Sequence, residues 1–411
     1  MRHTILLFSL FLTIQVFGQT TWTVDTKTGC KVYNPEPKQN ESISWSGACK
    51  DGFADGEGTL IWYADGKETV RVIAPFVNGR ANGKGKYVLA NGGGEEGFFI
   101  DGQIVKLDDK YLNKIKKNIL PITDSLDNYV GDGLAKSLFY YSVIPQKKIN
   151  GVLVLICGTW ETAEHNINSN KQLIQQALDS NLAVIIPSIN QRLALDKIVL
   201  DFLNTVFKTA TDQYKLPKDN FVVGGFSMGG LFSLRYAEMA EPDTSKTFIK
   251  PVAVFSVDGP TDLENHYYSF ERRFTNPRNT NKHEAEYAIN EFKKFMGGTP
   301  KEQHDKYVYY STYSKSETDG GNAKYLLNIP VRIYNDVDVN WWITNRGNDL
   351  YDMNALDQSA LVNYLIANGN NKAEFINAFG KGYRIEGNRH PHSWSIVDAP
   401  DCIKWILKNL K

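Results

Sequence analysis

The chain has no excess of charge of either sign. Lysine plus arginine number 46, aspartate plus glutamate number 46, and the formal net charge is zero. That balance argues against nucleic acid or an anionic membrane surface as the main partner. Cysteine is scarce, with 4 in 411 residues. None follows the apolar run at the N-terminus, which argues against a lipoprotein anchor. No later segment is long and apolar enough to span a bilayer. His390 and His392 are spaced as two metal ligands could be, but acidic and cysteine partners are not grouped around them. Neither a metal nor a cofactor is expected.

The first residues have the pattern of a secretory signal. Arg2 and His3 form a polar start, Ile5 to Val16 is apolar, and Val16-Phe17-Gly18 is suited to a signal peptidase. Residues 1–18 are thus expected to be removed before Gln19, leaving a secreted or periplasmic protein with no transmembrane segment. Such a compartment is oxidising. Cys30 and Cys49 lie close together in a glycine-rich stretch with little core, and a disulfide is expected between them. Closing that loop stabilises by about 3 kcal/mol if unstrained. Cys157 and Cys402 fall in an apolar strand and in the last helix, and are expected to be buried free thiols.

Residues 19–106 are dense in glycine and aromatics, and they repeat. Gly52-Phe53-Ala54-Asp55-Gly56-Glu57-Gly58 returns as Gly79-Arg80-Ala81-Asn82-Gly83-Lys84-Gly85. Asp51 and Asn78 precede the two copies, and Gly97-Phe98-Phe99-Ile100-Asp101-Gly102 echoes Gly47 to Gly52. Glycines at this spacing between aromatic strands predict β-hairpins repeated along a sheet. The motif resembles MORN repeats. That resemblance implies a docking surface for a protein or surface partner, with no chemistry of its own.

Residues 107–129 form a lysine-rich connector with room for one helix. From 130 to 411, apolar strands alternate with amphipathic helices. Strands are expected at Ser137–Ile144, Gly151–Cys157, Leu182–Ile186, Phe221–Gly225, Val252–Ser256, Pro330–Tyr334 and Lys372–Asn377. The fold class is α/β, a mostly parallel sheet with helices on both faces. The stretch from about 262 to 328 breaks the rhythm. It is polar and aromatic, and reads as an insertion forming a lid or substrate wall. All candidate catalytic groups lie after Gly158, so a chain starting near Asp124 is expected to retain the chemistry.

Gly225-Phe226-Ser227-Met228-Gly229 reads G-x-S-x-G between a strand and a helix. Such a turn lifts the serine hydroxyl clear of the sheet and aims the Met228 amide at a developing oxyanion. A serine nucleophile needs a histidine base and a carboxylate to orient it. After the strand ending at Tyr334 come Asp336 and Asp338. Asp338 is the expected acid and Asp336 the alternative. After the last strand come His390 and His392. His392, beside Trp394 and the last helix, is the expected base, with His390 the alternative. The turn Gly158-Thr159-Trp160-Glu161 follows the strand Gly151–Cys157. Its Thr159 amide is the expected second oxyanion donor, with Trp160 second. Trp160, Trp341, Trp342 and Trp394 fall on loops at the same sheet edge and suit stacking on a sugar or an aromatic acyl group.

In these motifs residues 130–411 resemble an α/β-hydrolase of the exported esterase and peptidase-like kind. The resemblance implies hydrolysis of a small-molecule or glycan ester through an acyl-enzyme. The same machinery could serve a peptide or amide bond. A third reading is a binding or scaffold protein on a vestigial hydrolase fold. The Cys157-Gly158-Thr159-Trp160 loop differs from the His-Gly-Gly loop of many lipases, which leaves the substrate class open.

Overall fold

A computed structural model describes residues 22–34, 38–121, 129, 138–243 and 245–411. The expected signal segment and residues 122–128 of the connector lie outside these residues. The chain divides into one unit ending at Glu96 and a second from Gly97 to Lys411. The division falls within the strand Gly94–Ile100, ten residues or so before the boundary expected at 106. Among the described residues no helix is long and apolar enough to cross a membrane.

The first unit is built on hairpins. Phe53–Ala64 pairs antiparallel with Lys67–Val77 through the turn Asp65-Gly66, both residues left-handed, and Lys67–Val77 pairs again with Gly83–Leu89. Asp-Gly suits this turn because both central residues need positive φ. The expected repeat has a conformational counterpart. Asp51-Gly52 and Asn78-Gly79 are left-handed pairs, with φ of 52° and 81° and of 50° and 79°, and so is Asp101-Gly102, at the start of the second unit, with 50° and 85°. Gly58 has a different role, because a Cβ there would sit 2.3 Å from the Trp45 ring. Trp45 is buried, rests on Phe76, and donates its indole N–H to the Ala48 carbonyl at 2.8 Å. Cys30 and Cys49 form the disulfide, and Cys157 and Cys402 are buried free thiols.

The second unit carries an eight-stranded sheet. Its strands are β1 Ile115–Ile119, β2 Phe139–Val143, β3 Gly151–Ile156, β4 Leu182–Pro187, β5 Phe221–Phe226, β6 Ala253–Val257, β7 Val331–Asn335 and β8 Ala373–Asn377. The order is β1-β2-β4-β3-β5-β6-β7-β8. β1–β2 and β2–β4 pair antiparallel, and every later pair is parallel. Strands β2 to β7 are buried along their whole length, which is why they read as unbroken apolar runs.

β1 departs from expectation. Ile115-Lys-Lys-Asn-Ile119 is an edge strand within the lysine-rich connector, where a helix was expected; among the described residues the only helix there is the single turn Asp109–Leu112. Edge strands tolerate lysine because one side of the ladder is open. A chain starting near Asp124 would therefore lose a strand of this sheet.

The covering helices follow in sequence: α1 Ala163–Ser169, α2 Lys171–Asp179, α3 Lys197–Tyr214, α4 Met228–Ala240, α5 Leu263–Thr275, α6 Lys282–Met296, α7 His304–Tyr310, α8 Val339–Arg346, α9 Asn354–Ala367 and α10 Ala399–Asn409. The expected insertion is α5, α6, α7 and a 3-10 turn at Gly321–Leu326, all between β6 and β7. Phe270, Phe292 and Tyr307 pack its helices together.

Candidate active site

Ser227 sits between β5 and α4 with φ 54° and ψ −124°. A non-glycine residue is held there only by its surroundings. Its amide donates to the Val257 carbonyl at 2.9 Å. The flanking glycines permit the turn. A Cβ at Gly225 would lie 2.1 Å from the Gly229 carbonyl oxygen, and one at Gly229 would lie 2.4 Å from the carbonyl oxygens of Ile156 and Cys157. Any side chain at either place would push the serine off the sheet edge.

His392 lies on the loop between β8 and α10. Its Nδ1 is 2.6 Å from Asp258 Oδ2, and its ring packs on Phe226 with centroids 4.4 Å apart. Asp258 follows β6 directly and is itself left-handed, with φ 47°. Its other carboxylate oxygen accepts from Asn335 Nδ2 at 2.7 Å, and Asn335 also donates to Gln358 Oε1 at 2.8 Å. Asn354 Nδ2 donates to the Asp258 carbonyl at 2.8 Å. The carboxylate is thus fixed from the end of β7 and from α9.

This corrects the expected acid. Asp338 is not beside His392. It caps α8 by accepting from the Trp341 amide at 3.0 Å, and it pairs with Arg389 at 2.9 Å. Asp336 is buried and accepts from the amides of Gly380 and Gly382 at 3.0 and 2.8 Å, with Arg389 again at 2.9 Å. Both carboxylates brace the loop that carries the histidines. Asp258 was missed because a carboxylate was sought one strand further on. The signal was present: Phe255-Ser256-Val257-Asp258-Gly259-Pro260 is an apolar strand ending in an acid and a turn.

His390 stands apart from the acid. It packs against Trp341 and Trp342 at 4.8 and 5.6 Å, and Arg346 and Arg384 approach its two ring nitrogens. Burial, with Arg384 close by, pushes its pKa down to about 3. It is neutral and poorly basic.

The turn after β3 closes through the Glu161 amide and the Gly158 carbonyl, with Trp160 at φ 59°. The Trp160 amide is taken by the Asn190 carbonyl at 2.9 Å, which removes it as an oxyanion donor. Among the described residues the amides of Thr159 and Met228 have no acceptor. Glu161 was not singled out in the sequence. It is buried and accepts from the Gly158 amide at 2.9 Å and from the Trp394 indole at 2.8 Å. Burial pushes its carboxyl up to about 7.

Ser227, Asp258, His392, Thr159 and Met228 line one cavity of about 350 Å³. Trp160 and Trp342 also line it. Trp341 and Trp394 do not line it, and Trp394 is only 4% exposed. The insertion supplies the opposite wall through His266, Phe270, Tyr287 and Phe292, with Tyr287 against Trp160 at 5.3 Å. Burial pushes His266 down to about 3. Among the described residues no group of three or more His, Cys, Asp or Glu could hold a metal ion.

No family model matches the chain, and no curated protein matches it in sequence. Solved structures resemble it at low identity. An S-formylglutathione hydrolase from Agrobacterium tumefaciens is 9% identical over 75% of this chain and 100% of its own, with a TM-score of 0.45. The acylaminoacyl peptidase of Pyrococcus horikoshii is 12% identical over 91% of this chain and 57% of its own, with a TM-score of 0.47. Carboxyl esterase 2 of the mycorrhizal fungus Tuber melanosporum is 14% identical over 74% and 89%, also at 0.47.

Proposed function

We propose that the second unit is a serine hydrolase of the α/β-hydrolase kind that cleaves esters through Ser227, His392 and Asp258. The observation that carries this reading is the 2.6 Å contact between His392 Nδ1 and Asp258, in a cavity shared with a strained serine. A carboxylate at Nδ1 selects the tautomer with a proton there, leaving the Nε2 lone pair for a hydroxyl. In this mechanism the Ser227 oxygen attacks the ester carbonyl as Nε2 takes its proton. Negative charge gathers on the carbonyl oxygen, and the Thr159 and Met228 amides stabilise it. His392 returns the proton to the departing alcohol, and an acyl-serine remains. Water, deprotonated by His392, then releases the acid and restores the serine.

Trp160 and Trp342 favour a sugar or aromatic ester by offering apolar faces in the cavity. An amide substrate needs the same groups, and a panel of acetylated sugars, feruloyl esters and aminoacyl amides separates the two. The first unit is proposed as a MORN-like docking module, and the whole chain as an exported protein.

A fluorophosphonate probe tests the central claim. It should label the protein at Ser227, and Ser227→Ala should lose both labelling and ester turnover, the latter by roughly 10⁵-fold. Unchanged turnover in that variant would refute the assignment, as would a vestigial site that never labels.

A further inference from the structure

The cavity that holds Ser227 also receives three arginines, and they are not in the same state. Arg273 pairs with Glu284 at 3.2 Å. Arg346, at the last position of α8, and Arg384, on the β8–α10 loop, pair with no carboxylate among the described residues. Their side-chain contact is His390. Arg346 lies 3.3 Å from its Nε2 and Arg384 3.4 Å from its Nδ1. A neutral imidazole accepts at one nitrogen and donates at the other. It can therefore satisfy only one of the two guanidiniums, and it neutralises neither.

The carboxylates lining the cavity do not make up the difference. Asp258 is engaged with His392, Glu284 with Arg273, Asp352 with Arg272 at 3.1 Å, and Glu291 with Lys294 at 4.0 Å. Two half-buried cations with unspent donors therefore face the space beside the serine. Burial lowers the pKa of Arg384, with Arg346 adding to the effect and the carboxyls of Glu161, Glu386 and Asp258 opposing it from beyond ion-pair distance.

Building on the hydrolase reading, we propose that Arg346 and Arg384 form an oxyanion subsite, so that the preferred substrate is an ester bearing a second, non-reacting carboxylate or phosphate. Guanidinium pairs bind such groups through charge-assisted hydrogen bonds. His390 acts as the neutral spacer that holds the two apart.

The test uses 4-acetoxybenzoate, its methyl ester and 4-acetoxyphenyl phosphate as substrates for the full chain. The wild type should prefer at least one of the two anionic acetates over the methyl ester in kcat/KM, by roughly tenfold to a hundredfold. Which of the two is preferred identifies the oxyanion. Arg346→Gln with Arg384→Gln should abolish that preference, and Arg384→Lys should restore part of it. Equal rates on all three in the wild type, or a preference that survives in the double variant, would overturn the subsite while probe labelling at Ser227 still upheld the hydrolase. Binding is read separately by calorimetry on Ser227→Ala, with 4-hydroxybenzoate, 4-hydroxyphenyl phosphate and methyl 4-hydroxybenzoate. At least one of the two anions should bind more tightly than the neutral ester, and the double arginine substitution should remove the difference. Indifference to charge would sink the proposal whatever the enzyme turns over. Circular dichroism of each variant confirms that it is folded.

Discussion

Two acidic loops leave neighbouring strands of the same sheet, and they do different work. The loop after β6 offers Asp258, whose carboxylate meets one imidazole and one amide side chain. The loop after β7 offers Asp336 and Asp338, whose carboxylates meet backbone amides and an arginine. All three lie at the carboxyl edge of a parallel sheet, where ligands bind. Position at that edge is therefore not sufficient to make a carboxylate part of the chemistry. Its partners decide. A carboxylate already saturated by N–H donors and a guanidinium holds a loop in place; one with an imidazole on it sets a tautomer.

The comparison breaks most sharply at Asp258. Asp258→Asn should lower kcat by roughly 10⁴-fold with the fold intact, because the imidazole loses the partner that fixes its proton. Steady-state kinetics with circular dichroism as control decide it, and near-normal turnover would return the acid to the next loop. Asp336→Asn should show the reverse pattern. A buried carboxylate serving two amides and Arg389 would be replaced by a group with one acceptor, at a cost in unfolding free energy of about 3 kcal/mol. Urea denaturation measures that loss, and the remaining folded protein should turn over ester far better than the Asp258 variant.

Glu161 sharpens the same point by pH. Its carboxyl is raised to about 7 by burial, above its ordinary value of 4.5. The folded state then holds a proton that the unfolded chain has lost. This contribution to stability is fully present below about pH 4.5 and is lost as pH rises through about 7. Glu161→Gln should flatten the stability profile across that window by roughly 3 kcal/mol. His266 and His390, held neutral, tilt the profile the other way below pH 6.5. The difference between wild-type and variant curves isolates the glutamate, and parallel curves would show that it stays ionised. Asp338→Asn should have the smallest effect. Asparagine caps a helix as well as aspartate does, and Arg389 keeps Asp336, so a loss under about 1 kcal/mol is expected in thermal denaturation.

The strand-and-helix alternation was legible because buried parallel strands are continuous in their apolar residues, and Phe221 to Phe226 left no other reading. The serine turn was legible because its glycines are sterically required. What escaped was information carried by contact between distant segments. The loops after β6 and β7 both begin near acids, and only the contact of His392 Nδ1 with Asp258 shows which acid the imidazole meets. Trp394 looked like a ligand-facing aromatic because it falls on a loop at the same sheet edge as the serine. Its indole is instead spent on Glu161. β1 was hidden by its lysines, since an edge strand with one open side has no continuous apolar run to announce it.

Phe226 has a consequence for how this site could change over time. It occupies the first variable position of the serine motif, yet its ring lies against both His392 and Trp394, at 4.4 and 5.5 Å. In the proposed mechanism, the chain neighbour of the serine is thus the seat of the base. Evolutionary drift at that position would tilt the imidazole with every change of side-chain volume, so it should accept far fewer residues than the motif's pattern allows. Met228, on the other side of the serine, also lines the cavity. On the hydrolase reading, new specificities should therefore enter elsewhere on the cavity wall, while Phe226 stays fixed as the surface on which the imidazole is aligned.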